Sequence, residues 1–523
     1  MSIRQFETAQ IKAPFLGKPH YPISGLDQLG LNLTSERIFD LVLPGLNNVT
    51  SRIRYYSFYC WFFDWYASNI RTTSRKKQNN YLRRAEFFLA LIASHNEQGG
   101  VPGITKALSI YKESDDLINF KDGTQEDSTS EGSYWKNPRG VLGQYYISSI
   151  KQMGILGDQG DKEGLYVRTD FEHDTKVSGK QLSNAFAQNT ADTLNIFITA
   201  LQNNYTTKEE LELLSTDFNM LVIPDNTDEQ RLLWQLFSRV DRPKEKEKTY
   251  FRRETIELLL FNVKSYESKD KYNQLNVPLT IYSKGWKPEY SVTEKLWYFF
   301  MMEQFWSVSC TGCLDAFLAI LDAQSDNNWI DEITLIDHII LKIVELFESE
   351  GVDSKNNLFF DQPFMKYSVE QLVHLSKTET DQYIRIFFAI CAIQKLFIEN
   401  QESINELLDI SKSFKIHTAS SYLTTHSDFK TKIKITSSEF IRYFLTQYVI
   451  NRHHFVALRK LNATQNSAKF YREDGMIRLV DHFKYDYSSP RIHTLFDFMC
   501  DLNIIEDLAI TAQGEKRLSN LRQ

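Results

Sequence analysis

Apolar residues return every three or four positions along most of this 523-residue chain. That spacing places them on one face of an α-helix. It predicts an amphipathic helix over 81–94 and a long helical block from about Phe186 to Thr424. A further helix is predicted after Ser488-Ser489-Pro490, where Ile492, Leu495, Phe496 and Met499 stand at i, i+3, i+4 and i+7. Two stretches are apolar nearly all round. Thr50 to Ala67 carries Tyr55, Tyr56, Phe58, Tyr59, Trp61, Phe62, Phe63, Trp65 and Tyr66, which predicts a central helix buried on several sides and capped by Thr50 or Ser51. Leu296 to Leu321 is apolar enough to cross a membrane, but it contains Glu303, Gln304 and Asp315. Charges near a bilayer centre are costly, so a pair of buried core helices, parted at Ser307–Gly312, is expected instead. Period-two alternation is rare. It predicts a strand over Phe429–Ile435, and Lys469 to Val480 reads as a hairpin turning at Asp474-Gly475. Between these, Thr436-Ser-Ser-Glu439 is a capping box for a helix reaching about Leu461. Asn276 to Tyr290, with Pro278 and Pro288, reads as extended.

Composition supports the helical reading. Only 21 glycines and 12 prolines occur, against 36 phenylalanines and 26 tyrosines. Disordered and collagen-like classes are excluded. The net charge of −7 excludes a histone-like or tail-driven nucleic-acid binder. Five cysteines are too few for a disulfide scaffold, and the N-terminus lacks a signal-peptide h-region. A soluble protein of the reducing cytoplasm, without a membrane partner, is expected. No repeat of fixed period is found. The expected organisation is an aromatic-rich helical domain at 1–112, an acidic linker at 113–137, a module at 138–190, a helical middle at 191–425 broken by the charged stretch Asp241–Lys248, and a C-terminal part at 426–523.

The most legible pattern lies after Ser488. A helix ends at Asp501-Leu502-Asn503, and Ile504-Ile505 opens a short strand. Glu506-Asp507 can turn, Leu508-Ala-Ile510 can return, and Thr511-Ala-Gln-Gly514 opens a last helix. This order resembles the second half of a winged-helix domain. A second copy is read at 138–190. There Leu142–Met153 is the helix, Gly154-Ile-Leu156 the strand start, Gly157–Gly164 the wing, Gly164–Thr169 the return strand and Ser178–Phe186 the closing helix. Asp170–Val177 is an inserted loop. The resemblance implies a mainly α, multi-domain fold with two winged-helix-like modules. Winged helices often bind DNA through the helix before the wing. Both wings here are acidic, however, which disfavours phosphate and places protein contact or dimerisation ahead of DNA binding for these modules.

The basic residues concentrate elsewhere. From Asp428 to Arg491 there are 12 Lys and Arg against 6 Asp and Glu. Arg452 and Arg459 are seven residues apart, as are His453 and Lys460, so the four form one stripe on a helix. An apolar stripe of Phe440, Phe444, Tyr448, Phe455 and Leu458 lies opposite. The nucleic-acid candidates are therefore Arg452, His453, Arg459 and Lys460, with Arg491 and His493 at the start of the last module's first helix. No catalytic residue, cofactor or metal is assigned. Cys310-x-x-Cys313 lacks the further ligands zinc needs. Arg168 and His173 have a ribonuclease-like spacing but fall in a wing and loop. Asp428, Glu439 and Lys430 would form only an incomplete nuclease core. The expected function is a non-enzymatic, DNA-associated or adaptor subunit of a larger prokaryotic assembly, in defence against mobile elements, regulation or chromosome maintenance. The alternatives are a nuclease with dispersed site residues and a protein-only scaffold. Expected partners are duplex DNA and other protein subunits, with homo-oligomerisation as an option.

Overall fold

A computed structural model describes residues 27–522 apart from 97–98, 125–136, 172–175, 239–247, 267–272, 274, 326–327, 353–357, 362–363, 365 and 462–466. The chain is 63% helix and 7% strand, so it is mainly helical, as the periodicity required. Its contacts divide it into two units. One comprises Met1–Ile38 with Pro278–Ser488; the other comprises Phe39–Val277 with Ser489–Gln523.

The first unit is built on the helix Val292–Ser325, 34 residues long and buried along most of its length. By length and hydropathy it is the one described helix that could cross a membrane; within the unit it is the core element. The expected break at Ser307–Gly312 does not occur. The small residues there serve close approach instead. Ser307 Oγ donates to Asn32 Oδ1 (2.9 Å), and a Cβ on Gly312 would stand 2.9 Å from the Tyr485 hydroxyl. The helices Val369–Thr378 and Gln382–Glu399 pack alongside, and Asp315 on the core helix pairs with Arg385 at 2.6 Å. A small antiparallel sheet orders Ile330–Asp331, Met476–Leu479 and Phe470–Glu473. Its hairpin turns at Asp474 and Gly475, both at positive φ, the geometry that a two-residue turn demands.

Two local expectations are corrected and a third is refined. Phe429–Ile435 is not a strand: the helix Tyr422–Lys430 ends within it, and successive turns follow over 431–434. Phe429 is fully buried, ringed by Trp306, Phe360, Phe397, Phe440 and Tyr448. That aromatic packing overrides seven residues of alternation. Asn276–Ser283 is helical; Pro278 sits in its first turn, where a missing N–H costs nothing. The capping box at Thr436 and Glu439 does form, but the helix it starts passes through a π-helical turn at Leu445–Ile450 before ending as Asn451–Lys460.

The second unit is built around Tyr55–Asn69. All nine of its aromatic side chains are buried, as expected for a helix apolar on every side. Its caps are not those expected. Arg54 precedes it without a side-chain bond, and the Asp501 carboxylate accepts from Ile53 N (3.2 Å) while pairing with Arg52 (2.9 Å). Arg54 forms a fully buried ion pair with Glu229. Glu229 also accepts from Ser57 and Asn189, the extra bonds that a buried charge requires. Part of the expected acidic linker is ordered. Ile104–Glu113 is a helix, Leu117–Asn119 pairs with Tyr205–Thr207, and 125–136 lies outside the described residues. So does all of the charged stretch except Lys248, which opens the helix Lys248–Ser265.

Candidate nucleic-acid interface

The helix Asn451–Lys460 carries four of the six candidate residues, all in the first unit. Its orientation is the reverse of the one that charge suggests. Arg452 Nε donates to Leu29 O (2.6 Å) and its Nη2 to Gly30 O (3.2 Å). His453 Nδ1 lies 3.1 Å from Gln28 O, and Lys460 Nζ donates to Asp27 O. Four successive carbonyls, Asp27 to Gly30, are thus taken up by the basic stripe. Buried carbonyls without partners are costly, and a segment entering irregularly cannot satisfy them itself. Arg452, His453 and Lys460 act as a latch for that segment.

His453 is buried and holds the latch to the hairpin as well, because its Nε2 accepts from Lys469 N at 2.9 Å. These two bonds place the ring proton on Nδ1. Burial, with nearby cations, lowers its pKa to about 4, so the ring is neutral at pH 7. Arg459 is exposed and lies over the Phe455 ring at 5.4 Å. The far face of the helix is apolar and open: Phe455 is 57% exposed, Leu458 43% and Leu461 58%. Phe440 and Phe444, from the same expected apolar stripe, are buried as anticipated.

Arg491 and His493 belong to the second unit. Ser488 to Pro490 do not cap the helix Ile492–Asp501. Arg491 occupies the N-cap at φ 62° without a side-chain cap bond. Its guanidinium donates to Leu46 O (2.6 Å), pairs with Asp40 (2.7 Å) and lies 4.4 Å from the centre of the Phe39 ring. His493 is exposed, 3.6 Å from Asp497.

The two segments read as copies share an atomic arrangement that the sequence showed only in outline. In each, a helix (Ile147–Met153; Ile492–Asp501) leads through a left-handed residue, Gly154 or Asn503, into a two-stranded hairpin and a closing helix. Thr169 Oγ1 donates to Gly154 O (2.9 Å) and accepts from Gly179 N (3.0 Å). Thr511 Oγ1 donates to Asn503 O (2.7 Å) and accepts from Gly514 N (3.0 Å). Thr169 N and Thr511 N each reach the carbonyl of the isoleucine after the left-handed residue at 3.0 Å, and Lys180 N and Glu515 N return to the threonine carbonyls at 2.9 Å. The closing glycines are needed for space. A Cβ on Gly179 would lie 2.2 Å from Ile155 O, and one on Gly514 2.3 Å from Ile504 O. Tyr56 touches corresponding positions in both copies, bonding Ser149 Oγ at 2.5 Å and meeting the Phe498 ring edge-on at 5.9 Å.

The residues weighed for catalysis are otherwise engaged. Asp428 accepts from the Tyr443 and Tyr448 hydroxyls (2.5 and 2.7 Å), and Glu439 closes its capping box. Cys310 and Cys313 are buried in the core helix, and burial raises both thiols far from ionisation. Arg168 pairs with Asp64 and Asp170; His173 lies outside the described residues. Among the described residues no group of His, Cys, Asp and Glu is arranged to hold a metal. One buried carboxylate stands out. Glu303 Oε1 accepts from Ser421 Oγ (2.5 Å) and Tyr422 N (2.9 Å), its Oε2 has no hydrogen-bond partner, and burial lifts its pKa to about 8.

Much of the excess positive charge of 428–491 is consumed internally. Arg442, Lys469 and Arg472 pair with Asp337, Asp481 and Glu332. Sequence reasoning missed the cations left outward, Lys430 and Lys434 with Lys432 between them, because it set them on a half-buried strand. No family model, no curated protein and no solved structure matches this chain.

Proposed function

We propose that the protein is an adaptor subunit of the larger prokaryotic assembly expected above, docking other proteins through apolar and acidic surfaces. The observation that carries this reading is the reversed helix Asn451–Lys460, with Arg452 and Lys460 turned inward and Phe455, Leu458 and Leu461 turned out. Exposed apolar residues at one helical face mark protein contacts. The two helix–hairpin–helix copies are read as winged-helix-like modules serving the same end. Asp158, Asp161 and Glu163 lie in one wing, Glu506 and Asp507 in the other, and Arg491 is already paired. Phosphate docking requires cations, so these faces suit protein rather than DNA.

A photo-crosslinking residue placed at Leu458 in the native cell tests the reading. A discrete adduct of higher mass, lost when Phe455→Asp is added and absent when the probe stands at Thr424, is expected. Labelling of the monomer alone at both positions would overturn it.

A further inference from the structure

The turn that replaces the expected strand gathers positive charge that no carboxylate among the described residues pairs with. Helix Tyr422–Lys430 unwinds through three consecutive turn bonds: Thr431 N to Asp428 O (2.9 Å), Lys432 N to Phe429 O (2.8 Å) and Ile435 N to Lys432 O (3.3 Å). This compact knuckle presents Lys430, Lys432 and Lys434 within five residues. Lys430 and Lys434 are exposed, Lys432 is half-buried with its Nζ 5.0 Å above the Tyr443 ring, and Ile433 between them is 42% exposed. Among the described residues no carboxylate pairs with any of the three. The two acids nearest in sequence are committed, Asp428 to two tyrosine hydroxyls and Glu439 to its helix cap. Thr424, Ser427 and Thr431 continue the exposed face without adding charge; their hydroxyls donate to the carbonyls of Thr418, Leu423 and Asp428.

We infer that this knuckle docks the phosphate backbone of duplex DNA. The inference goes beyond the protein-docking reading above, and gives the DNA association expected from the sequence a surface that the sequence candidates do not. Three ammonium groups on one turn can each neutralise a phosphate as a point charge. An acidic protein is the other polyanion to consider. Interface cores between proteins are depleted in lysine and favour arginine and aromatic anchors, and the knuckle offers neither outward. The contact is sequence-independent, because nothing beside the lysines is placed to read base edges.

Fluorescence anisotropy of the full chain with a random-sequence duplex, titrated across salt concentrations, tests this. Each phosphate contact contributes about 0.9 to the slope of log affinity against log salt. Lys430→Gln/Lys432→Gln/Lys434→Gln should therefore lower the slope by about 2 to 3 and weaken low-salt binding more than about tenfold. Lys430→Glu/Lys434→Glu, which leaves the lysine packed on Tyr443 in place, should weaken it similarly. Arg459→Glu should leave the slope within about one contact of wild type. Wild-type binding that survives both lysine variants unchanged would overturn the knuckle and leave DNA association standing. No wild-type binding at low salt would overturn DNA association itself, and the knuckle with it. Displacement of the duplex by poly-L-glutamate at matched charge, as effective as by unlabelled duplex, would overturn the assignment in favour of an acidic protein.

Discussion

Glu303 shows how one side chain can tie a helical core to the proton concentration. It lies in the middle of the core helix, fully buried, with one oxygen bonded twice and the other unbonded. Burial outweighs those bonds and raises its pKa from 4.5 to about 8. The folded state thus holds the proton more tightly than the unfolded state. By linkage, its contribution to stability is complete below about pH 4.5 and is lost as pH rises towards and past 8. Glu303→Gln keeps an acceptor for Ser421 and Tyr422 and removes the titration. We expect a smaller loss of thermal stability between pH 6 and 9 in the variant than in the wild type, read by scanning calorimetry. Equal losses would show that Glu303 does not titrate in this range. His453 is the opposite case. Its low pKa keeps it neutral, and its two ring nitrogens bond one donor and one acceptor, so it works as a fixed strut.

At the scale of elements, the repeated knot is the clearest construction in the molecule. A threonine, a glycine and a left-handed residue recur with matching bonds, although the stretch from that threonine to that glycine is seven residues longer in the first copy. Gly179→Ala and Gly514→Ala should each cost about 1–3 kcal/mol, the usual penalty for overpacking where backbone must shift. Urea denaturation checks this, and a neutral result at either site would mean that the closing helix moves freely. Much of the knot was legible in the sequence. Gly154, Asn503, Thr511 and Gly514 were visible as punctuation, because left-handed backbone and close approach leave few residue choices. The hydrogen bonds of Thr169 across an insertion were not legible, since spacing is the only signal a sequence offers and the insertion destroys it. The caps divide in the same way. Thr436 and Glu439 sit three apart and cap locally, whereas the start of Tyr55–Asn69 is held by Asp501, more than 400 residues away.

Each unit of the whole molecule is assembled from distant pieces of chain, and the segment 27–38 demonstrates the consequence. Leu29, Leu31 and Ile38 are buried, Ser35 accepts from Gln304 at 2.8 Å, and the carbonyls of 27–30 satisfy three side chains of Asn451–Lys460. A chain beginning at Phe39 leaves those donors buried without acceptors, at about 1–3 kcal/mol for each lost partner and more for the charged ones. Limited proteolysis of such a chain should cut the first unit readily, beginning near 451–460. Resistance equal to that of the full chain would refute the latch.

That segment also marks where sequence and tertiary structure divide the work. The sequence by itself determined the helical class, the buried aromatic helix, the hairpin at Asp474-Gly475 and the capping box of Thr436 and Glu439, because period, turn chemistry and capping act within a few residues. It also made the positive segment visible. Tertiary structure decided which way that charge faces. The stripe of Arg452, His453 and Lys460 was expected to look outward, since a cation in water costs nothing. It looks inward, where four carbonyls from the other end of the chain accept its hydrogen bonds, so that neither the carbonyls nor the donors are left unmet. Phe455, Leu458 and Leu461 are left outside for the same reason. The lysines of 430–434 face outward because Phe429 is drawn into the core and the chain turns immediately after it.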